Sequence, residues 1–138
     1  MKTNIFRTLI MAFAAITLLA ACNKDEKTAA PVITLTEVGH EDSHRATPGD
    51  DLHLEADIVA EGLINAIYVE LHMEEGRDYE IEKSYTEGKY IGVRNTEFHE
   101  HIDIPIDAPA GEYHLHFTVT DREGQQASAS AHVNIGNN

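Results

Sequence analysis

From residue 31 onward, apolar side chains recur at every second position, and this alternation constrains the chain more than any other feature. Leu52, Leu54, Ala56 and Ile58 alternate with His53, Glu55 and Asp57. Ile67, Val69, Leu71 and Met73 alternate with Tyr68, Glu70 and His72. Phe98, Ile102 and Ile104 share one parity, while His99, His101 and Asp103 share the other. Tyr113, Leu115, Phe117 and Val119 alternate with His114, His116 and Thr118, and Ala127 through Ile135 repeats the pattern with smaller residues. A period of two sends successive side chains to opposite faces of a strand, so each run offers one apolar face and one wet face. Val32–Val38, rich in β-branched residues, and the Tyr79–Glu82 segment add two further strands. Turn residues separate the runs: Pro48-Gly49-Asp50, Glu61-Gly62, Glu75-Gly76, Glu87-Gly88, Pro109-Ala110-Gly111 and Glu123-Gly124. No segment carries a helical stripe. About seven short strands with one apolar face each predict an all-β antiparallel sandwich. Its core should hold Leu52, Leu54, Ile58, Ile67, Val69, Leu71, Ile102, Ile104, Tyr113, Leu115, Phe117 and Val119.

The first thirty residues follow other rules. Lys2 and Arg7 form a positive start, Leu9 to Leu19 is apolar apart from Thr17, and Ala20-Ala21 precede the single cysteine, Cys22. This is the order of an export signal, and the run is shorter than the ~20 apolar residues a spanning helix needs. One cysteine allows no disulfide within the chain, so the exported domain must rely on its core. The expected organisation is a signal over 1–21, a charged tether over 22–30 and the sandwich over 31–138. The extended tether from Asn23 to Ala30 would reach on the order of 26 Å.

The histidines are the second unusual feature, nine in all. His40 and His44 lie in the loop after the first strand, and the others fall at outward strand positions. Residues i and i+2 share a strand face, so His99/His101 and His114/His116 are same-face pairs. In the seven-strand immunoglobulin arrangement the second strand neighbours the fifth and the third neighbours the sixth. His53 then joins His99 and His101 on one sheet, and His72 joins His114 and His116 on the other. A five-residue loop at 121–125 would set His132 opposite His114, whereas a three-residue loop would make it a diagonal neighbour. Three imidazoles with carboxylates nearby suit zinc, copper or nickel, and the absence of thiol ligands argues against a soft sulfur site. Neutral imidazole is the ligand form, so affinity should fall as the rings take protons near about pH 6.

No Gly-x-Ser-x-Gly, phosphate-binding glycine loop or His-Glu-x-x-His is present, which points away from an enzyme. The formal charge of −14 becomes still more negative when Lys2 and Arg7 depart. Such a charge repels nucleic acid phosphates and attracts cations. Two functions remain: binding of a transition metal through strand histidines, or a non-catalytic adhesion or accessory module with a solvated histidine-rich face.

Leu19-Ala20-Ala21-Cys22 resembles the lipobox of bacterial lipoproteins, which implies acylation of Cys22 and a membrane anchor. Asn23-Lys24-Asp25-Glu26 resembles the acidic export signal of Bacteroidetes surface lipoproteins, which implies the outer face of the outer membrane. An outer-membrane transporter or another surface protein is the partner such a location suggests. Pro109–Leu115 with Thr120–Gln125 looks like the last hairpin of bacterial immunoglobulin-like domains, with Tyr113 placed for a tyrosine corner. More narrowly, Ile33–His40, Pro48–Leu54, Phe98–Pro105 and Gly111–Phe117 resemble domain-of-unknown-function family 4625 of Bacteroidetes lipoproteins. That resemblance implies an immunoglobulin-like fold and a lipid anchor, and it brings no chemistry.

Overall fold

The computed structural model describes residues 26–137. The signal over 1–21 and Cys22 lie outside the described residues. Eight strands form in chain order: β1 Val32–Val38, β2 Arg45–Ala46, β3 Asp51–Val59, β4 Ile64–Met73, β5 Glu80–Tyr85, β6 Asn95–Asp103, β7 Gly111–Asp121 and β8 Gln126–Ile135. They pair into a three-stranded sheet, β1-β3-β6, and a five-stranded sheet, β2-β8-β7-β4-β5. Every pairing is antiparallel except that of β2 with β8. The eighth strand beyond the expected set is β2, whose two residues run parallel to Asn134 and Ile135. Two residues carry no periodicity, so this strand has no signature in the sequence.

All twelve expected core residues are buried in the cluster between the sheets. The aromatic centre bridges the layers: Phe98 on β6 and Phe117 on β7 have ring centroids 4.9 Å apart at 76°, an edge-to-face contact. Tyr85 and Tyr90 pack on Phe98 from β5 and from the loop before β6. Tyr113 donates its hydroxyl to the Pro109 carbonyl at 2.8 Å and closes the entry to β7, as a tyrosine corner does.

Two irregularities change the parity of strands. In β1, Leu35 pairs with Ala56 but Glu37 already pairs with Glu55, leaving Thr36 as an extra residue. This bulge lets Ile33, Leu35 and Val38 all lean toward the core although their spacing breaks the period of two. A similar shift between Ile64 and Ala66 at the start of β4 keeps both Ile64 and Ile67 inside.

Two residues of the segment expected to be a tether, Thr28 and Ala29, are docked on the domain. Thr28 donates its backbone N–H and its hydroxyl to Glu123 at 3.0 and 3.1 Å, and Gln125 reaches the Thr28 carbonyl. The Ala29 N–H contacts Glu61 at 3.4 Å. Thr28 and Ala29 therefore belong with the turns of the sandwich.

Candidate metal centre

On the three-stranded sheet, β3 and β6 set His53 directly opposite His101 and Glu55 opposite His99. The outward direction follows from the pleat, because any pairing that buries Leu52, Leu54, Phe98 and Ile102 turns these four polar residues outward. The His53 ring centroid is 4.7 Å from that of His99 and 5.0 Å from that of His101. Each of the three offers a ligand atom within 4.8 Å of the other two. Tetrahedral nitrogens bound at ~2.0–2.1 Å sit about 3.3 Å apart, so modest ring rotations would close the triad on an ion.

Carboxylates hold these rings. Asp51 contacts His101 Nδ1 at 2.8 Å, and Glu55 contacts His99 Nδ1 and His53 Nε2, each at 3.0 Å. A carboxylate on Nδ1 fixes the tautomer that leaves Nε2 free to ligate, and it strengthens that nitrogen as a donor. The Asp51 hydrogen bond and charge also raise the His101 pKa above its ordinary value. Glu37 on β1 stands 3.8 Å from His53 Nε2 and forms a second possible set with His53 and Glu55.

Tyr90, absent from the sequence reading, braces the edge strand. Its hydroxyl donates to Glu100 at 2.7 Å and accepts the His99 backbone N–H at 3.1 Å. Burial pushes the Glu100 pKa up, but hydrogen bonds from Tyr90 and Lys89 outweigh it and hold the group below its ordinary value. His99 is thus fixed by its backbone as well as by its ring. The loop 86–94 that carries Tyr90 has no alternation, so its one buried tyrosine could not be told from a surface residue.

Beside this triad lies a half-open cavity of about 440 Å³ lined by His40, Arg45, Asp50, Asp51, His53 and His101, among others. Gly39 makes the loop possible: its φ is +76°, and a Cβ there would lie 2.9 Å from the Arg45 backbone. The two loop histidines part company. The His40 ring stands 6.4 Å from His53, whereas His44 Nδ1 bonds the His132 carbonyl at 3.0 Å on the other sheet.

On the five-stranded sheet, His72, His114 and His132 stand in one cross-strand row. Thr120 pairs with Gln126, so the loop is the five-residue one, and His132 lies opposite His114. The four expected residues do not form one cluster. They divide into His72/His114/His116 and Glu74/His114/His132. Glu74 follows the last residue of β4, where the alternation stops, and its role is invisible in the sequence.

Fold and site together define a two-sheet β-sandwich domain with histidines grouped on both outer faces. By sequence, the chain belongs to the family described as Domain of unknown function (DUF4625), matched over residues 20–136. No curated protein matches it. Among solved structures it is similar to Spo0M, a sporulation control protein from Bacillus subtilis, at 14% identity and a TM-score of 0.53. The match covers 80% of this chain and 51% of that one, so the chain spans about half the length of that structure. At this identity the likeness concerns the fold alone.

Proposed function

We propose that the protein is a lipid-anchored lipoprotein of the outer-membrane surface whose immunoglobulin-like sandwich binds a transition metal, zinc or copper. The site is His53, His99 and His101 on the three-stranded sheet. One observation carries the reading: three imidazoles on two paired strands bring ligand atoms within 4.8 Å of one another, each ring in contact with a carboxylate. The acidic groups around these rings favour a cation. Three protein ligands leave a coordination position open to water or to a ligand from another molecule. An outer-membrane transporter or another surface protein is the fitting recipient.

The test is metal titration by calorimetry with elemental analysis of the purified protein, using zinc, copper and nickel in turn. His99→Ala/His101→Ala should bind one ion fewer than the wild type. It should also lose about 2.7 kcal/mol of metal-induced stabilisation when free metal is one hundred times its dissociation constant. The gain should shrink below about pH 6 as the imidazoles protonate. Equal stoichiometry in the two proteins would overturn this site, and no bound metal in either would leave the accessory-module reading.

The anchor is tested separately. Cys22→Ala should release the protein from the membrane fraction or leave it unprocessed. A variant that fractionates and migrates as the wild type does would sink the lipoprotein reading.

A further inference from the structure

The row His72, His114, His132 spans three adjacent strands, β4, β7 and β8. Neighbouring strands stand about 4.8 Å apart, so the outer two members are separated by roughly 9.6 Å at the backbone. With the side chains as they stand, the ligand atoms of His72 and His132 are gathered with those of His114 in separate sets, one on each side of it. Both sides are equipped. On the β4 side, His116 completes a triad with His72 and His114. On the β8 side, Glu74 completes one with His114 and His132. No triad among the described residues contains both His72 and His132.

We propose that the outer face of the five-stranded sheet holds a second transition-metal ion, in two alternative positions that overlap at His114. This extends the reading above to the opposite face and does not depend on the first site. The two positions differ in chemistry. The inner triad is three half-buried imidazoles. Its His72 Nδ1 is held by Glu70 at 3.1 Å, which leaves Nε2 to bind. The outer triad carries a carboxylate, and its His132 side chain is 65% exposed. Glu74 lies 2.8 Å from His132 Nδ1, so the same carboxylate that orients the ring without an ion would turn to the ion when one arrives. The His114 ring is 4.8 Å from both His116 and His132, so a small ring movement exchanges one partner for the other. Because His114 belongs to both sets, only one ion occupies the face at a time. It can step between a sheltered position and an open one without being released to water.

Overlap makes a prediction that a single fixed site does not. Zinc per chain is counted by elemental analysis after equilibrium dialysis, in a His99→Ala/His101→Ala background so that only this face is read. That background should hold one ion. Adding His116→Ala should keep the ion, because the outer triad survives. Adding His132→Ala should also keep it, because the inner triad survives. Adding both together, or His114→Ala alone, should remove it. These are surface strand positions, and circular dichroism checks that each variant keeps its fold. Loss of the ion with either His116→Ala or His132→Ala alone would overturn the proposal in favour of one fixed site, and two ions in the background would overturn the sharing. A wild type that binds one ion, lost in His99→Ala/His101→Ala, would refute this second site while the first stands. A wild type that binds none would refute both.

Discussion

Phe117→Ala should cost about 3–5 kcal/mol, a large share of the ~5–15 kcal/mol that holds a domain folded. Phe117 is fully buried at the middle of β7, and its ring meets the edge of Phe98 across the two layers. Removing it leaves a void where the sheets touch most directly, and it deprives Phe98 of one partner in a group that continues to Tyr85 and Tyr90. The surrounding Leu, Ile and Val side chains stand on stiff paired strands and cannot collapse far into the space. The effect should extend to the first metal face, because Tyr90 packs on Phe98 and binds the backbone of His99. Chemical denaturation measures the loss. A midpoint unchanged with an unchanged slope would mean that the two sheets do not depend on this contact.

Asp121→Ala should cost about 2–4 kcal/mol, the sum expected from orphaning two N–H groups at a buried carboxylate. Asp121 is the one buried charged residue among those described. Its Oδ1 accepts the backbone N–H groups of Glu123 and Gln125 at 2.9 and 2.8 Å, and so shapes the turn between β7 and β8. The other oxygen lies where a Cβ on Gly62 would sit, only 2.5 Å away, so the neighbouring turn is built to admit the carboxylate. Asp121→Asn keeps one acceptor oxygen and should cost about 1 kcal/mol. Hydrogen exchange at Glu123 and Gln125 should quicken in the alanine variant before the core strands respond. Stability within about 0.5 kcal/mol of the wild type would show that water replaces the carboxylate without penalty.

The division between what could be read from the chain and what could not follows the period of two. Core membership was legible because burial on one face writes itself as alternation, and Leu52 through Val119 sit where that pattern places them. The shared face of His53, His99 and His101 followed from strand order and parity, and the register that sets His53 opposite His101 came from the structure. Glu37 was lost because the bulge at Thr36 reverses the parity of β1 before reaching it. Glu74 was lost because it stands just past the end of a strand, and Tyr90 because it approaches the sheet from a loop. Ala46 in β2 joins the core through a two-residue parallel contact that no period can announce. The histidine row on the second sheet depended on the length of one loop, and its resolution into two triads on side-chain positions that backbone pairing does not specify.

The docking of Thr28 sets a direction of presentation. If Cys22 carries the proposed acyl anchor, five residues separate it from Thr28, a length of at most about 17 Å. Thr28 lies at the end of the sandwich where Glu123 and Glu61 sit. His53 lies six residues along β3 from Val59, and His114 six along β7 from Thr120, so these two histidines stand roughly 20 Å along the sandwich from that end. Under that proposal the attachment would enter at one end of the strands, and His53 and His114 would sit toward the other end, farther from the membrane than the turns that hold Thr28.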